Sequence, residues 1–258
     1  MDILEYSAVE LSAAIREGRI TATDAMEAVL ARIDAREKDI NAYVTIDREQ
    51  AMRAAAEAQA AAEALGISKD GVLIGSTGVI GRQIPIDKLT VGIRVLAEEK
   101  NDTLENGTAA AKAIMTTDTC EKELAVTFDA GGKTVTLGGM AKGSGMIHPN
   151  MCTMLSFITT DAVISKEALQ KALSEDVQDT YNMISVDGDT STNDTVILLA
   201  NGLAENPEIT EGSGDYESFK EALHMVNEYL AKKIAGDGEG ATALFEVRAE
   251  GCESVQQA

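Results

Sequence analysis

The sequence predicts a mixed α/β fold, and three observations carry that prediction. Leu124, Val126 and Phe128, then Val135 and Leu137, alternate around Asp129-Ala130-Gly131-Gly132, the pattern of a β-hairpin with one buried face. The apolar run Met154 to Ile158 follows a loop bearing glycines and Pro149, and it suits a buried strand. Amphipathic helices complete the alternation. Ser165 caps one that carries Leu169, Leu173 and Val177 four residues apart. A longer one from Tyr216 to Ile234 sets Phe219, Leu223, Val226, Leu230 and Ile234 on one side.

The chain opens with a helical segment, residues 1–65. Ser7-Ala8-Val9-Glu10 reads as a capping box, with Val9, Leu11 and Ile15 available for burial and Gly18 ending the helix. Thr23 is the expected cap of a second helix, in which Met26, Val29, Leu30 and Ile33 recur at helical spacing. Asn41 to Ile46 reads as an extended link. An alanine-rich helix follows from about Asp47 to Leu65, with Gly66 as its C-cap. Val72 to Ser76 reads as a buried strand running into the turn Thr77-Gly78-Val79-Ile80-Gly81, where glycine lets the backbone approach a ligand.

Pro85 precedes a helix from Ile86 to Glu99, and another is expected from Asn106 or Thr108 to Met115. Beyond the hairpin, Met183 to Val186 reads as a strand. Asn193 or Asp194 is the expected cap of a helix from Thr195 to Ala200, closed by Asn201-Gly202. A last strand is expected from Thr242 to Val247, with a short or disordered tail from Gly251.

Composition narrows the function. A net charge of −21 argues against sequence-independent nucleic-acid binding, which needs clustered Lys and Arg. The three cysteines, Cys120, Cys152 and Cys252, are far apart and form no C-x-x-C, and there are only two histidines, so neither a disulfide framework nor a zinc site is suggested. No apolar run approaches 20 residues and the start is not basic-then-apolar, so the expectation is a soluble cytoplasmic protein without membrane partners.

Lys142 to Thr160 is where chemistry concentrates. A glycine-spaced turn and Pro149 lead to Cys152-Thr153 and then directly to the buried strand. A hydroxyl at the junction of a rigid loop and a strand is exposed by the first and held still by the second, which suits a nucleophile. Lys142 reads either as a solvated loop lysine or as a cation for a substrate carboxylate. His148, five residues from Thr153 across the proline loop, reads as a structural hydrogen-bonding residue. The loop Asp187 to Thr195 fails as an EF-hand, because glycine is missing at its sixth position and Leu198 replaces the terminal Glu. A phosphatase-type nucleophile there would need a partner lysine and a second acidic pair. A structural turn near the active site is the favoured reading. The glycine-rich run at 236–240 follows a helix rather than a strand, which argues against a dinucleotide fingerprint.

These motifs resemble the ornithine acetyltransferase family, the bifunctional glutamate N-acetyltransferases of arginine biosynthesis. The resemblance covers residues from about 63 to 254 and rests on Thr77-Gly78, Met115-Thr116-Thr117-Asp118-Thr119, Lys142 to Thr160, Asp187 to Thr195 and Gly236 to Thr242. It implies a layered α/β sandwich of the ornithine acetyltransferase type. It implies Thr153 as nucleophile, self-cleavage at Cys152–Thr153, and Thr77 and Gly78 as the oxyanion hole. It also implies Thr116, Lys142, Thr153 and Glu239 as substrate-binding residues. The implied reaction moves acetyl from N-acetylornithine to glutamate by ping-pong chemistry with no metal and no cofactor, acetyl-CoA being an alternative donor in some members. The implied assembly is an oligomer of cleaved chains. The chain departs from the family pattern at Cys152 (usually alanine), at Cys120-Glu121-Lys122 (commonly Pro-Lys) and at Ala243 (usually lysine).

Residues 1–62 are instead similar to the N-terminus of amidase-signature enzymes, the A subunit of glutamyl-tRNA amidotransferase above all. Met1-Asp2-Ile3-Leu4, Ala8-Val9-Glu10-Leu11, Gly18-Arg19-Ile20-Thr21 and Ile40-Asn41-Ala42-Tyr43-Val44 carry that likeness. The expected division is therefore a helical segment 1–65 and a partial, truncated acetyltransferase-like domain 66–258. Two alternatives stand beside the enzyme: an inactive chimeric remnant, and an interaction module built on residues 1–65.

Overall fold

A computed structural model describes residues 3–6, 8–40, 48–79, 84–148, 154–191 and 193–253. It contains two compact units, Met1–Asp102 and Thr103–Ala258.

The first unit is helical: α1 (Ala8–Arg16), α2 (Ala22–Ile40), α3 (Arg48–Leu65) and α4 (Ile86–Glu99). α3 packs against both α2 and α4. Gly18 and Gly66 end α1 and α3 in the left-handed conformation, at φ 71° and 66°. In each case the next N–H reaches back to close the last turn, Arg19 to the Ala14 carbonyl at 3.0 Å and Ile67 to that of Ala62 at 3.1 Å. The cap of α2 is Thr21, not Thr23. Its hydroxyl accepts the Asp24 N–H at 3.0 Å while the Asp24 carboxylate accepts the Thr21 N–H at 2.8 Å. Only Thr21 has an acid three residues on, which makes the reciprocal box possible. The Ser7 cap and the link Asn41 to Ile46 lie outside the described residues.

Val72 to Ser76 is not a buried strand. It is extended chain with no ladder partner among the described residues, and Leu73 is 59% exposed. Apolar patterning makes a strand only where a neighbour supplies the ladder.

The second unit is built on one mixed sheet. β1 (Lys122–Ala130) and β2 (Lys133–Lys142) form the expected hairpin, closed by Gly131 and Gly132 at φ 57° and 78°. Both central residues of that two-residue turn need positive φ, which glycine supplies without strain. β3 (Leu155–Thr160) pairs antiparallel with β2, and β4 (Thr195–Ala200) pairs parallel with β3, giving the order β1-β2-β3-β4.

β4 corrects the helix expected at Thr195 to Ala200. Val196 and Ile197 are β-branched, and the run is the length of β3, whose free edge it covers. Asp194, expected as a helix cap, instead accepts the Met154 N–H at 3.0 Å. The strand expected at Met183 to Val186 is a 3₁₀ turn (Tyr181–Met183) followed by extended chain, tied to the Ile147 carbonyl by the Val186 N–H at 2.8 Å and the Ser185 hydroxyl at 3.3 Å. The strand expected at Thr242 to Val247 is exposed coil, with Phe245 86% and Val247 92% exposed.

α5 (Leu104–Ala113) begins earlier than expected because the Thr103 hydroxyl caps it, accepting the Asn106 N–H at 3.3 Å. α6 (Lys166–Asp179) is capped by Ser165 as anticipated. α7 (Asp215–Gly236) lies across β1 and β2, with α6 beside it, so helices form one layer and the sheet the other. Phe219, Leu223, Val226, Leu230 and Ile234 are all fully buried. The helix comes close at Gly139, where a Cβ would stand 3.0 Å from Val226 Cγ1 and 3.1 Å from Leu230 Cδ1.

One polar chain threads this layer. Ser156 and Tyr181 hydroxyls meet at 2.8 Å. Tyr181 donates to Asn227 Oδ1 at 3.1 Å, and Asn227 donates to Asp176 at 2.6 Å. Burial pushes the Tyr181 phenol up, so it stays a neutral donor.

Truncating Phe219 removes a fully buried ring that meets Phe128 edge-on at a 6.1 Å centroid separation. Phe219→Ala is expected to cost about 3–5 kcal/mol in urea unfolding of the second unit.

Candidate active site

The site is organised by a lysine buried at the start of β1. Lys122 has a fully buried side chain, and its ammonium donates to Asp118 Oδ1 at 2.7 Å and to Asp237 Oδ2 at 2.6 Å. Burial works against the charge, but the bonds to the two carboxylates outweigh it and raise the Lys122 pKa. The same bonds, with those from Thr119, hold Asp237 down at about 2 against the upward push of burial.

Asp118 then shapes the loops. Its Oδ1 accepts the Gly143 N–H at 2.7 Å and its Oδ2 accepts the Thr116 N–H at 3.1 Å. It also faces Lys142, whose Nζ lies 3.9 Å from Oδ2.

Lys142 is no solvated loop lysine. It is the last residue of β2 and only 3% exposed. Burial lowers its pKa, partly offset by Asp118 and Glu239. A desolvated ammonium with one carboxylate at the edge of bonding distance is suited to take a second, from a ligand.

Glu239 reaches the same place from the end of α7. Its N–H donates to the Ser144 carbonyl at 2.7 Å, and its carboxylate lies over Gly145, where a Cβ would be 2.8 Å from Glu239 Cδ. Only glycine at 145 leaves that space. Ser144 is itself buried and shares a 2.6 Å hydrogen bond with Thr117. Thr116 is exposed at the rim, its backbone fixed by Asp118.

The following loop is held by Asp187, whose carboxylate accepts the Met146 and Ile147 N–H groups at 2.6 and 3.0 Å. Met146 sits there at φ 53°. The structural role expected for the loop 187–195 therefore takes the form of N–H capture at its two ends, by Asp187 and Asp194. His148 lies 3.3 Å from the Ser185 hydroxyl, a structural bond as expected.

Cys152 and Thr153 lie outside the described residues. Their flank is well defined. Met154 is buried, its N–H is bound by Asp194, and its carbonyl accepts the Thr195 N–H at 3.1 Å. The register Lys142↔Leu155 sets the end of β2 opposite the head of β3. Thr77 and Gly78 belong to the first unit. Thr77 is half-buried and Gly78 exposed, on the extended chain after residue 71.

The sequence pattern of the ArgJ family matches residues 23–258. The chain belongs to the ArgJ family. The match begins at residue 23, well before residue 63, and takes in most of the stretch for which a likeness to amidase-signature enzymes was expected, a likeness that these comparisons do not support.

Among ArgJ proteins, the arginine biosynthesis bifunctional protein ArgJ of Symbiobacterium thermophilum is 56% identical over 81% of this chain and 52% of its own length. Those of Listeria monocytogenes and Lactococcus lactis are 50% and 55% identical, over 76% and 74% of this chain and 48% and 47% of their own. The chain spans about half the length of the curated relatives it matches. A crystal structure of the ArgJ protein from Bacillus halodurans is 57% identical over 35% of this chain and 42% of that one, with a TM-score of 0.34, too partial a superposition to bear on the fold. Among the described residues no helix is long and apolar enough to cross a membrane.

The roles of Lys122, Asp118, Asp237 and Asp194 escaped the sequence reading, in which Asp194 figured only as a possible helix cap. Lys122 left a signal, since it lies in phase with Leu124, Val126 and Phe128 on the buried face of β1. Asp118 and Asp237 lie within the family-like stretches Met115 to Thr119 and Gly236 to Thr242, but nothing local ties two acids 119 residues apart to one buried lysine.

Lys122→Ala strands two buried carboxylates, and a stability loss of about 3–5 kcal/mol is expected in urea unfolding. Asp194 acts in the opposite sense. Burial raises its carboxyl to about 6 against the pull of the Met154 N–H. Because the folded pKa exceeds the unfolded value, the folded state binds more proton between about pH 4 and 6, and stability falls as pH rises through that window. Asp194→Asn should remove that slope and be more stable than wild type at pH 8, as read by urea midpoints at pH 4 and 8.

Proposed function

We propose that this chain is a self-cleaving threonine-nucleophile acyltransferase that moves acetyl from N-acetylornithine to glutamate in arginine biosynthesis. The observation that carries the reading is that Glu239, tied to Ser144, acts electrostatically on the buried Lys142 at the β2 end that faces the head of β3, immediately beyond Thr153 in the chain. Membership of the ArgJ family supports it.

In this reading Thr153 Oγ adds to the Cys152 carbonyl carbon, the C–N bond breaks and an ester forms. Water then releases the Cys152 carboxylate and leaves Thr153 with a free α-amino group. That group, with an ordinary pKa of about 8, takes the Oγ proton when Thr153 attacks the acetyl carbonyl of N-acetylornithine. Thr77 and Gly78 are the oxyanion donors, each such donor being worth about 3 kcal/mol. Lys142 pairs with a substrate carboxylate, Glu239 binds the amino end, and Thr116 completes the rim. Ornithine leaves, and the glutamate amine takes the acetyl group from the threonine ester. Acetyl-CoA as donor would form the same acyl-threonine, so the chemistry calls for no bound cofactor. Small amino acids are its only partners besides further cleaved copies, and it works in the cytoplasm.

Intact-mass spectrometry tests the reading. Fragments Met1–Cys152 and Thr153–Ala258 are expected from the purified wild-type chain and none from Thr153→Ala. An uncut wild-type chain would leave an inactive family member as the better description.

A further inference from the structure

Asp118 is one carboxylate that faces two buried lysines. Lys122 takes its Oδ1 at 2.7 Å, and the Lys142 ammonium stands 3.9 Å from its Oδ2. Lys122 has a second carboxylate, Asp237, at 2.6 Å, so Asp118 is not consumed in neutralising it. Burial pushes the Asp118 carboxyl up, but the Gly143 N–H, the Lys122 ammonium and the Thr116 N–H outweigh it and hold the group below the usual carboxylate range. Asp118 is therefore an anion at neutral pH, with negative charge to spare for Lys142.

Lys142 needs that charge. Burial acts to strip its proton and Lys122 adds repulsion, while Asp118 and Glu239 pull the other way. These are the charged groups that act on it from the loop before β1, from β1 itself and from the end of α7. In the reading above Glu239 is committed to the amino end of the substrate, so its field is shared once a ligand binds. Asp118 has no such second duty. Its distance also matters. A carboxylate in full contact would occupy the ammonium and shut a ligand out, whereas at 3.9 Å it lends its field without a hydrogen bond.

We propose that Asp118 is a positioning residue for the substrate-binding lysine: its buried carboxylate, set 3.9 Å from the Lys142 ammonium, keeps that ammonium charged and leaves its N–H donors for a substrate carboxylate. The inference rests on the reading of Lys142 as the substrate cation. It gives Asp118 a duty distinct from shaping the loops, because an uncharged oxygen is enough to accept a backbone N–H and only a carboxylate holds a proton on a buried amine.

The test follows the amine itself, in the full chain labelled with 13C-lysine. The Lys142 Cε resonance, assigned by its absence in Lys142→Arg, is titrated against pH. In the wild type its midpoint is expected below the ordinary lysine value of about 10.4 and above neutrality. In Asp118→Asn, which keeps an oxygen for the loop and loses the charge, it should fall by about one pH unit. Binding of N-acetylornithine, read from the same resonance, should begin to weaken at each protein's own Lys142 midpoint.

A midpoint that Asp118→Asn leaves unmoved overturns the assignment and reduces Asp118 to a loop anchor. A wild-type midpoint below neutrality overturns it too, since Lys142 would then carry no charge to keep. If the midpoint moves as expected but the wild type binds no N-acetylornithine at neutral pH, the substrate reading of Lys142 falls and the hold of Asp118 on its proton stands. If Asp118→Asn does not fold, the Asp118 Cγ resonance of the wild type decides. A step at the Lys142 midpoint that disappears in Lys142→Met upholds the pairing, and the lack of such a step refutes it.

Discussion

The second unit depends on one ammonium group placed where water does not reach. Lys122 joins the loop before β1, the strand itself and the end of α7, elements that sequence holds far apart. Hydrophobic burial is directionless and would let α7 slide along the sheet. Two charge-assisted bonds at 2.6–2.7 Å do not permit that, because any slip strands three buried charges. The position of Asp237 also determines where Glu239, two residues on, can go. The position of Asp118 determines where the chain turns at Gly143. The lysine touches neither Lys142 nor Glu239 by a hydrogen bond, yet both are located by what it holds.

Around that fixed point the sheet performs a simpler task. A hairpin with a two-glycine turn ends at Lys142, and an antiparallel partner begins opposite it, so two strand ends meet at one edge. Strand ends are well suited to chemistry. Their last residues are rigid, while the loops beyond them are free to take unusual backbone shapes. Met146 at φ 53°, held by Asp187, is one such shape. Close approach elsewhere serves the same end, with Gly139 letting α7 lie low on the sheet and Gly145 making room for the Glu239 carboxylate.

Local patterns were legible where the chain's own neighbours decide the structure. The β1–β2 hairpin, the Ser165 cap, the apolar side of α7 and the Schellman endings at Gly18 and Gly66 all depend on residues within a turn or two. Errors fell where a distant partner decides. Thr195 to Ala200 is a strand because β3 offers it an edge, and Val72 to Ser76 is not one because no such edge is offered among the described residues. The site follows the same rule. Lys142, Glu239, Thr116 and the 187–195 loop could be picked out by likeness to a family pattern. What Asp118, Asp237 and Asp194 bind could not be read, because a carboxylate in a polar loop looks the same whether it faces water, a buried lysine or a backbone N–H.

The hold on Met154 comes from residues 40 positions further along the chain. A ribosome adding about 5–20 residues per second needs roughly 2–8 seconds to cover that interval. Until β4 has been made and laid beside β3, the peptide after Thr153 has neither of its two anchors. Parallel pairing across an intervening helix is also a slow, non-local step compared with closing the hairpin. For the self-cleavage proposed above, the order of synthesis would act as a safeguard: a nascent chain would keep its backbone whole while half-built, and would be cut only when the elements that keep the two pieces together are in place.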